Sequence, residues 1–279
     1  MATLQNKIDF AVILKVKNAN PNGDPLNGNR PRTDYEGRGE ISDVCLKRKI
    51  RDRLMETGQK IFVQPDDRKN DDATSLKNRA EKALGKDLGG KDTVDKACAE
   101  WLDVRAFGQL FAFSSKKKEA GDGEDASGKS IPIRGPVSIQ HAFSVDTVST
   151  TSTQITKSVN SEDTKDGKRG SDTMGMKHRV DNGVYVFYGS MNPQLAQKTK
   201  FSTEDALAIK AVLPKIFEND ASSARPEGSM QVLKVLWWEQ QGSGKCSSAK
   251  VHGSLKVNSD GTYELSNLDG LNPESIEGF

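Results

Sequence analysis

From Ile8 to Lys17 the run IDFAVILKVK sets Ile8, Phe10, Val12, Leu14 and Val16 on one side of an extended chain, with Ala11 and Ile13 apolar on the other. A period of two with partial cover on the second face predicts a strand packed on both sides. Gly23, Gly28, Gly37, Gly39, Pro21, Pro25 and Pro31 exclude a regular element between Asn18 and Glu40. Ser42 and Asp43 then open a helix that Gly58 closes, with Leu46, Ile50 and Leu54 as its inward stripe. In VSIQHAFSV the alternation predicts a second strand, with Val137, Ile139, His141, Phe143 and Val145 sharing one face. A third runs from Gly183, with Val184, Val186 and Tyr188 opposed to Tyr185 and Phe187. Ser202 and Asp205 form a capping box for a helix to Phe217, which Pro214 should kink. Met230 to Glu239 is a fourth strand, where the adjacent Trp237 and Trp238 must point to opposite faces.

Strand, helix, strand, strand, helix, strand is the order of the ferredoxin-like α+β fold shared with RNA recognition motifs. Two insertions interrupt it. The first carries the charged stretch Asp66 to Gly90, a helix from Thr93 to Leu102 and the run DVRAFGQLFAF, and reads as a helical subdomain followed by a solvated loop over Lys116 to Lys129. The second, Asp146 to Asn182, is polar and far longer than the roughly 4–6 residues of an ordinary connection. Within it, Ser149 to Val159 and Thr173 to Val180 read as the two arms of a protruding hairpin. From Asn258 to Phe279 there are five acids and no Lys or Arg, an acidic tail that either keeps the surface soluble or faces a basic patch on another copy.

Composition adds that much of the surface is loop or interface. Only 34% of the 279 residues are hydrophobic, and the mean hydropathy is −0.66. The charge balance, 41 Lys and Arg against 39 Asp and Glu for a net +2, names no partner by itself. No apolar run near the start approaches the roughly 20 residues of a membrane span, and the N-terminus lacks the layout of a secretory signal. A cytoplasmic protein without membrane association is expected. Cys45, Cys98 and Cys246 are widely spaced, as reduced thiols are, and His141, His178 and His252 are equally scattered. No metal cage or cofactor is expected.

The candidate chemistry lies in CLKRKIRDRL. Lys47 and Arg51 are one turn apart, Arg48 lies beside them, and a four-residue step rises about 6 Å, close to the spacing of phosphates along an extended single strand. Between Lys15 and Arg53 ten Lys and Arg face six Asp and Glu, a local surplus of +4. The competing reading is a solvated helix face with internal Arg–Asp pairs. NGDPLNGN, Asn22 to Asn29, lacks the Lys-Ser/Thr ending and glycine spacing of nucleotide-binding loops. Asp24 and Asp34 offer hard oxygen ligands for a magnesium ion in RNA cleavage, but Asx-turns are the commoner use of such residues in a crowded loop. Tyr185, Phe187 and Tyr188 resemble the base-stacking strand of RNA recognition motifs, although such residues more often serve the core. Met174 and Met176, on a polar arm with no apolar face to join, suit wedging between bases or gripping a neighbour.

The runs NPNGDPLNGNRPRTD, ISDVCLKRKIRDRL, DVRAFGQLF, IRGPVSIQHAFSVDTV and TMGMKHRVDNGVYVFYGSMNP together resemble the backbone subunit of type I CRISPR Cascade complexes, the seventh Cas family, and most nearly its subtype I-C. The resemblance spans Phe10 to Glu239 and leaves out the acidic tail and Asp66 to Gly90. It implies a hand-shaped protein: a ferredoxin-like palm (1–62, 131–146 and 182–279, the last with the tail), a helical finger (63–130) and a β-hairpin thumb (147–181). It further implies that copies stack head to tail along one CRISPR RNA without cutting it, alongside other Cascade subunits, and present the guide for pairing with target DNA. The thumb of each copy would fold over the RNA of its neighbour. The RNA-binding set implied is Asn22, Arg30, Arg32, Ser42, Lys47, Arg48, Arg51 and Arg134, with Met174, Met176, Lys177 and His178 on the thumb. The alternative is a metal-dependent ribonuclease of the type III backbone kind, using Asp24 or Asp34.

Overall fold

The computed structural model describes residues 2–113, 129–156 and 174–279; the solvated loop expected over Lys116 to Lys129 and the centre of the second insertion fall almost entirely outside them. The chain begins with β1 (Lys7–Ala19), the short strands β2 (Gly23–Asp24) and β3 (Arg30–Pro31), β4 (Arg38–Ile41) and α1 (Asp43–Glu56). α2 (Leu76–Leu84), α3 (Thr93–Glu100), α4 (Leu102–Phe107) and the hairpin of β5 (Gly108–Phe113) and β6 (Lys129–Arg134) follow. Next come β7 (Val137–Ile139), β8 (Ala142–Thr147), β9 (Thr150–Thr156), β10 (Met174–Met191), α5 (Pro193–Thr199), α6 (Thr203–Val212) and β11 (Met230–Gln240). α7 (Ser248–Gly253), β12 (Leu255–Val257), β13 (Tyr263–Leu265) and β14 (Glu274–Glu277) end the chain.

One eight-stranded antiparallel sheet organises these elements, in the order β14-β11-β1-β10-β8-β4, with β7 and β9 also paired to β10. β1 is central because both its faces are apolar. Phe10, Val12, Leu14 and Val16 pack in the main core with Leu46, Ile50 and Leu54 of α1 and Ile209 and Val212 of α6. Burying a leucine or isoleucine fully is worth about 1.5–3 kcal/mol, so those three α1 positions fix which face the helix turns inward. On the opposite face Ala11, Leu236 and Trp238 lie under Val251, Leu255 and Leu268. Trp237 and Trp238 therefore both serve cores on opposite sides, and Trp237 stacks on Phe10 at 5.6 Å.

The second strand departs from expectation. Its pairing to β10 runs Ile139↔Gly189 and then Ser144↔Tyr185, one residue out of step, with Gln140 and His141 in the break. A single extra residue reverses the faces. Val137 and Ile139 are buried before the break and Ala142 and Ser144 after it, leaving His141 and Phe143 exposed. α6 has the expected capping box and ends at Val212, where Leu213–Lys215 tighten into a 3-10 turn at Pro214. Gly39 and Gly189 make room for neighbouring rings: a Cβ would lie 2.1 Å from the Tyr185 hydroxyl oxygen and 2.1 Å from Phe10 Cζ.

The inserted subdomain has a core of its own, Phe62, Ala80, Leu84, Ala97, Cys98, Trp101, Val104, Phe111 and Ile133, and its β5–β6 hairpin was not read from the sequence. The acidic tail is folded rather than free. β14 adds to the sheet beside β11, and Glu274, Glu277 and Glu264 pair with Lys210, Lys234 and Lys256 of the same chain.

Candidate nucleic-acid interface

The start of α1 is locked to the glycine- and proline-rich loop. Asn22 Oδ1 accepts from the Ser42 backbone N–H at 2.9 Å and its hydroxyl at 2.8 Å, while Ser42 Oγ caps the helix by accepting from Cys45 N–H. The loop closes through Gly28 and Asn29, both at left-handed φ of +59 and +60. Its two aspartates are spent on the backbone. Asp24 accepts from Leu26 N–H and pairs with Arg32 at 3.4 Å; Asp34 Oδ1 accepts from Glu36 and Arg38 N–H at 2.9 and 2.8 Å, an Asx-turn. Among the described residues no three His, Cys, Asp or Glu side chains converge as a metal set.

The basic residues of α1 do not form one open face. Lys47 reaches back one turn to Asp43 at 2.9 Å, and Arg48, the most exposed, lies 3.8 Å from Asp52 and 3.5 Å from Asp67. Lys49 is buried against Asp220, and burial pulls its pKa down against the opposing pull of that carboxylate. Arg53, also buried, meets Glu56 at 2.8 Å. Arg51 turns inward: its Nε donates to Asp103 at 2.8 Å and its guanidinium lies 5.0 Å from the Phe107 ring centroid. The outward ridge expected from Lys47 and Arg51 is corrected accordingly: Lys47, Arg48 and Arg53 meet acids within a turn on α1 itself, while Lys49 and Arg51 are drawn to Asp220 and Asp103 of distant segments.

Unpaired cations lie around it instead. Arg30 on β3, Arg134 at the end of β6 and Lys177 on β10 are exposed, with no acidic partner among the described residues, as are Lys15 and Lys17 of β1. The last two sit opposite Val184 and Asn182, where β10 leaves the body of the sheet, and were not selected from the sequence. Their signal was there: in an otherwise apolar strand they break the second face. Arg32 is held by Asp24, with its Nε buried and without a partner.

β9 and the first half of β10 form the expected antiparallel arms, from Thr156↔Met174 to Thr150↔Val180. Met174 and Met176 are exposed, and Met174 Sδ accepts from Gln154 Nε2 at 2.9 Å. His178 is buried instead, its Nδ1 2.8 Å from Ser152 Oγ across the ribbon, which makes it a brace between the arms. Tyr185 and Phe187 are wholly buried in the main core and offer no stacking surface; Tyr188 lies on the other face, stacked on His252 at 4.8 Å. Burial is the main influence on the His252 pKa and lowers it, against the attraction of Asp9.

Beside the Ser42 cap, His141 contacts two carboxylates, Glu40 Oε1 through Nδ1 at 2.6 Å and Asp43 Oδ1 through Nε2 at 3.2 Å. Burial works to raise the pKa of Asp43, but Lys47, His141 and the Val44 N–H together bring it below the usual carboxylate value.

An antiparallel-sheet α+β protein with a polar hairpin beside a loop-locked helix start is the class these features define. The family model "CRISPR-associated protein Cas7" matches residues 6–273, and the chain belongs to that family. The match takes in the stretch from Asp66 to Gly90 and most of the acidic tail, which the motifs alone had left out. A relative in Haloferax volcanii, described as CRISPR-associated protein Cas7, is 27% identical over 255 residues, covering 87% of this chain and 73% of its own. Solved structures titled "CRISPR RNA-guided surveillance complex, pre-nicking" and "CRISPR RNA-guided surveillance complex" contain similar chains. The first is 15% identical with a TM-score of 0.48, over 88% of this chain and 81% of that one; the second is 17% identical with a TM-score of 0.44, over 95% and 77%.

Proposed function

We propose that this chain is the non-catalytic backbone subunit of a type I CRISPR Cascade complex, of subtype I-C by its motifs, and that copies of it coat one CRISPR RNA head to tail. The match to the Cas7 family across residues 6–273 carries the reading. The order β11-β1-β10-β8, antiparallel throughout, supports a ferredoxin-like palm, the separate core around Trp101 a finger, and the β9–β10 arms a thumb. Phosphate contacts fall to Arg30, Arg48, Lys177, Arg134 and Lys47, with Lys15 and Lys17 where β10 leaves the sheet. Asn22 and Ser42 hold the helix start in place, Arg32 braces the loop, and Arg51 acts through Asp103 rather than on RNA. Met174 and Met176 are exposed apolar groups placed to press between bases. Sequence reading is left to base pairing between guide and target, so the protein grips backbone and shape.

Native mass spectrometry of the chain co-expressed with RNAs of increasing length tests this. The copy number is expected to grow in proportion to RNA length, as an open head-to-tail interface requires. One protein per RNA at every length would overturn it.

A further inference from the structure

His141 occupies the break between β7 and β8, close to half exposed, with each ring nitrogen against a carboxylate oxygen. A neutral imidazole has one N–H and one bare lone pair, so one of the two contacts would set that lone pair against an anion; the imidazolium donates at both. The groups around it are few. β4 supplies Glu40, α1 supplies Asp43 with Lys47 2.9 Å behind it, and β8 supplies the uncharged Phe143 ring, stacked at 6.3 Å with 21° between planes. Ser42 and Asn22 beside Asp43 are polar and uncharged. With His141 charged, the two acids are balanced by two cations; with it neutral, the helix start carries a net negative charge.

We propose that His141 is a positioning residue for RNA: as an imidazolium it holds Glu40 and Asp43, so that Lys47 can turn from Asp43 to a phosphate at the start of α1. The inference rests on the RNA-coating function above. Histidine side chains in general change charge between about pH 5 and 8, so a pH series reads this role, with RNA affinity expected to weaken as pH rises.

Fluorescence anisotropy of the full chain with a fluorescein-labelled single-stranded RNA, at about pH 6 and about pH 8, reads the effect. Wild-type affinity is expected to fall about fivefold over that range, the size of one unit charge several ångströms from a phosphate at a solvated surface. His141→Gln should bind at the lower pH as weakly as wild type at the higher, with most of the pH slope gone. Adding Glu40→Gln to it should restore affinity, a rescue that damage to the fold would not permit. Equal slopes in wild type and His141→Gln, or no rescue, overturn the role of His141 and leave RNA coating standing. No RNA bound by wild type at either pH sinks RNA coating itself.

Discussion

Arg51 on α1 donates through Nε to Asp103 on α4 at 2.8 Å, and the same carboxylate accepts from Phe62 and Val63 N–H at 2.7 and 3.1 Å. Asp103 is 1% exposed, so it depends on this partner for its charge. α1 and the inserted subdomain are thereby joined by a buried ion pair. Arg51→Met should cost about 3 kcal/mol, because it strands a desolvated carboxylate, while Lys47→Met should cost under about 0.5 kcal/mol, as for other solvated one-turn pairs. Urea unfolding of the two variants checks this, and equal losses would refute the distinction.

Gly39 and Gly189 sit where aromatic side chains press on the backbone. Replacing either with Ala drives a methyl into the Tyr185 hydroxyl or the Phe10 ring, both in a close-packed core with no room to yield. Each substitution should lose about 1–3 kcal/mol, an overpacking cost, measurable as a drop in thermal midpoint. A neutral Gly189→Ala would mean that Phe10 can leave its place against Trp237.

What the sequence made legible was whatever short-range pattern controls. The 13-residue β1, the Ser42 cap, the inward Leu46-Ile50-Leu54 stripe and the Ser202/Asp205 capping box all depend on neighbours within a turn or two. The break at Gln140 and His141 was not legible, because one inserted residue leaves the alternation on each side intact and reverses only their relation. The α1 cations were legible in part: Asp43, Asp52 and Glu56 lie within a turn of Lys47, Arg48 and Arg53, but Asp67, Asp103 and Asp220, which meet Arg48, Arg51 and Lys49, come from remote segments. An acidic tail likewise looks free in sequence, since nothing local announces Lys210 and Lys234 across the sheet.

Salt dependence separates contacts from braces. For single strands each phosphate contact adds about 0.7 to the slope of log affinity against log salt. Arg30→Ala and Lys177→Ala should each flatten the slope by about that amount without changing stability, whereas Asn22→Ala should weaken binding with the slope kept. A full slope in the Arg30 and Lys177 variants would remove those residues from the interface.

Asp71 and Arg79 in the inserted subdomain give a pH signature. The Arg79 guanidinium, bonded to Asp71 at 2.6 and 2.8 Å, holds the Asp71 pKa down to about 2, with the Ala73 N–H assisting. A carboxylate whose folded pKa lies below its unfolded one stabilises the fold above the unfolded value, and that contribution disappears as pH falls toward the folded one. With Asp71 over a third exposed, screening leaves about 1 kcal/mol, lost between about pH 4 and pH 2. Asp71→Asn should be less stable than wild type at neutral pH and equal to it at the acid end, by urea midpoints. A constant gap at every pH would rule the linkage out.

β14 guards the edge of the sheet. Glu274, Ser275, Ile276 and Glu277 pair with Trp237, Leu236, Val235 and Lys234, so the middle of the long strand β11 is covered on its outer edge. Ile276 also reaches the main core, and Lys210 ties the strand down by meeting Glu274 at 2.6 Å while lying 5.3 Å over the Trp237 ring. Removing residues 274–279 would bare that edge, and an unpaired apolar strand of this kind is a template for joining another chain. The truncated protein should scatter light and sediment as oligomers without RNA, where the intact chain does not. A truncated chain that stays monodisperse at the concentration of the control would show that β11 is shielded by something other than β14.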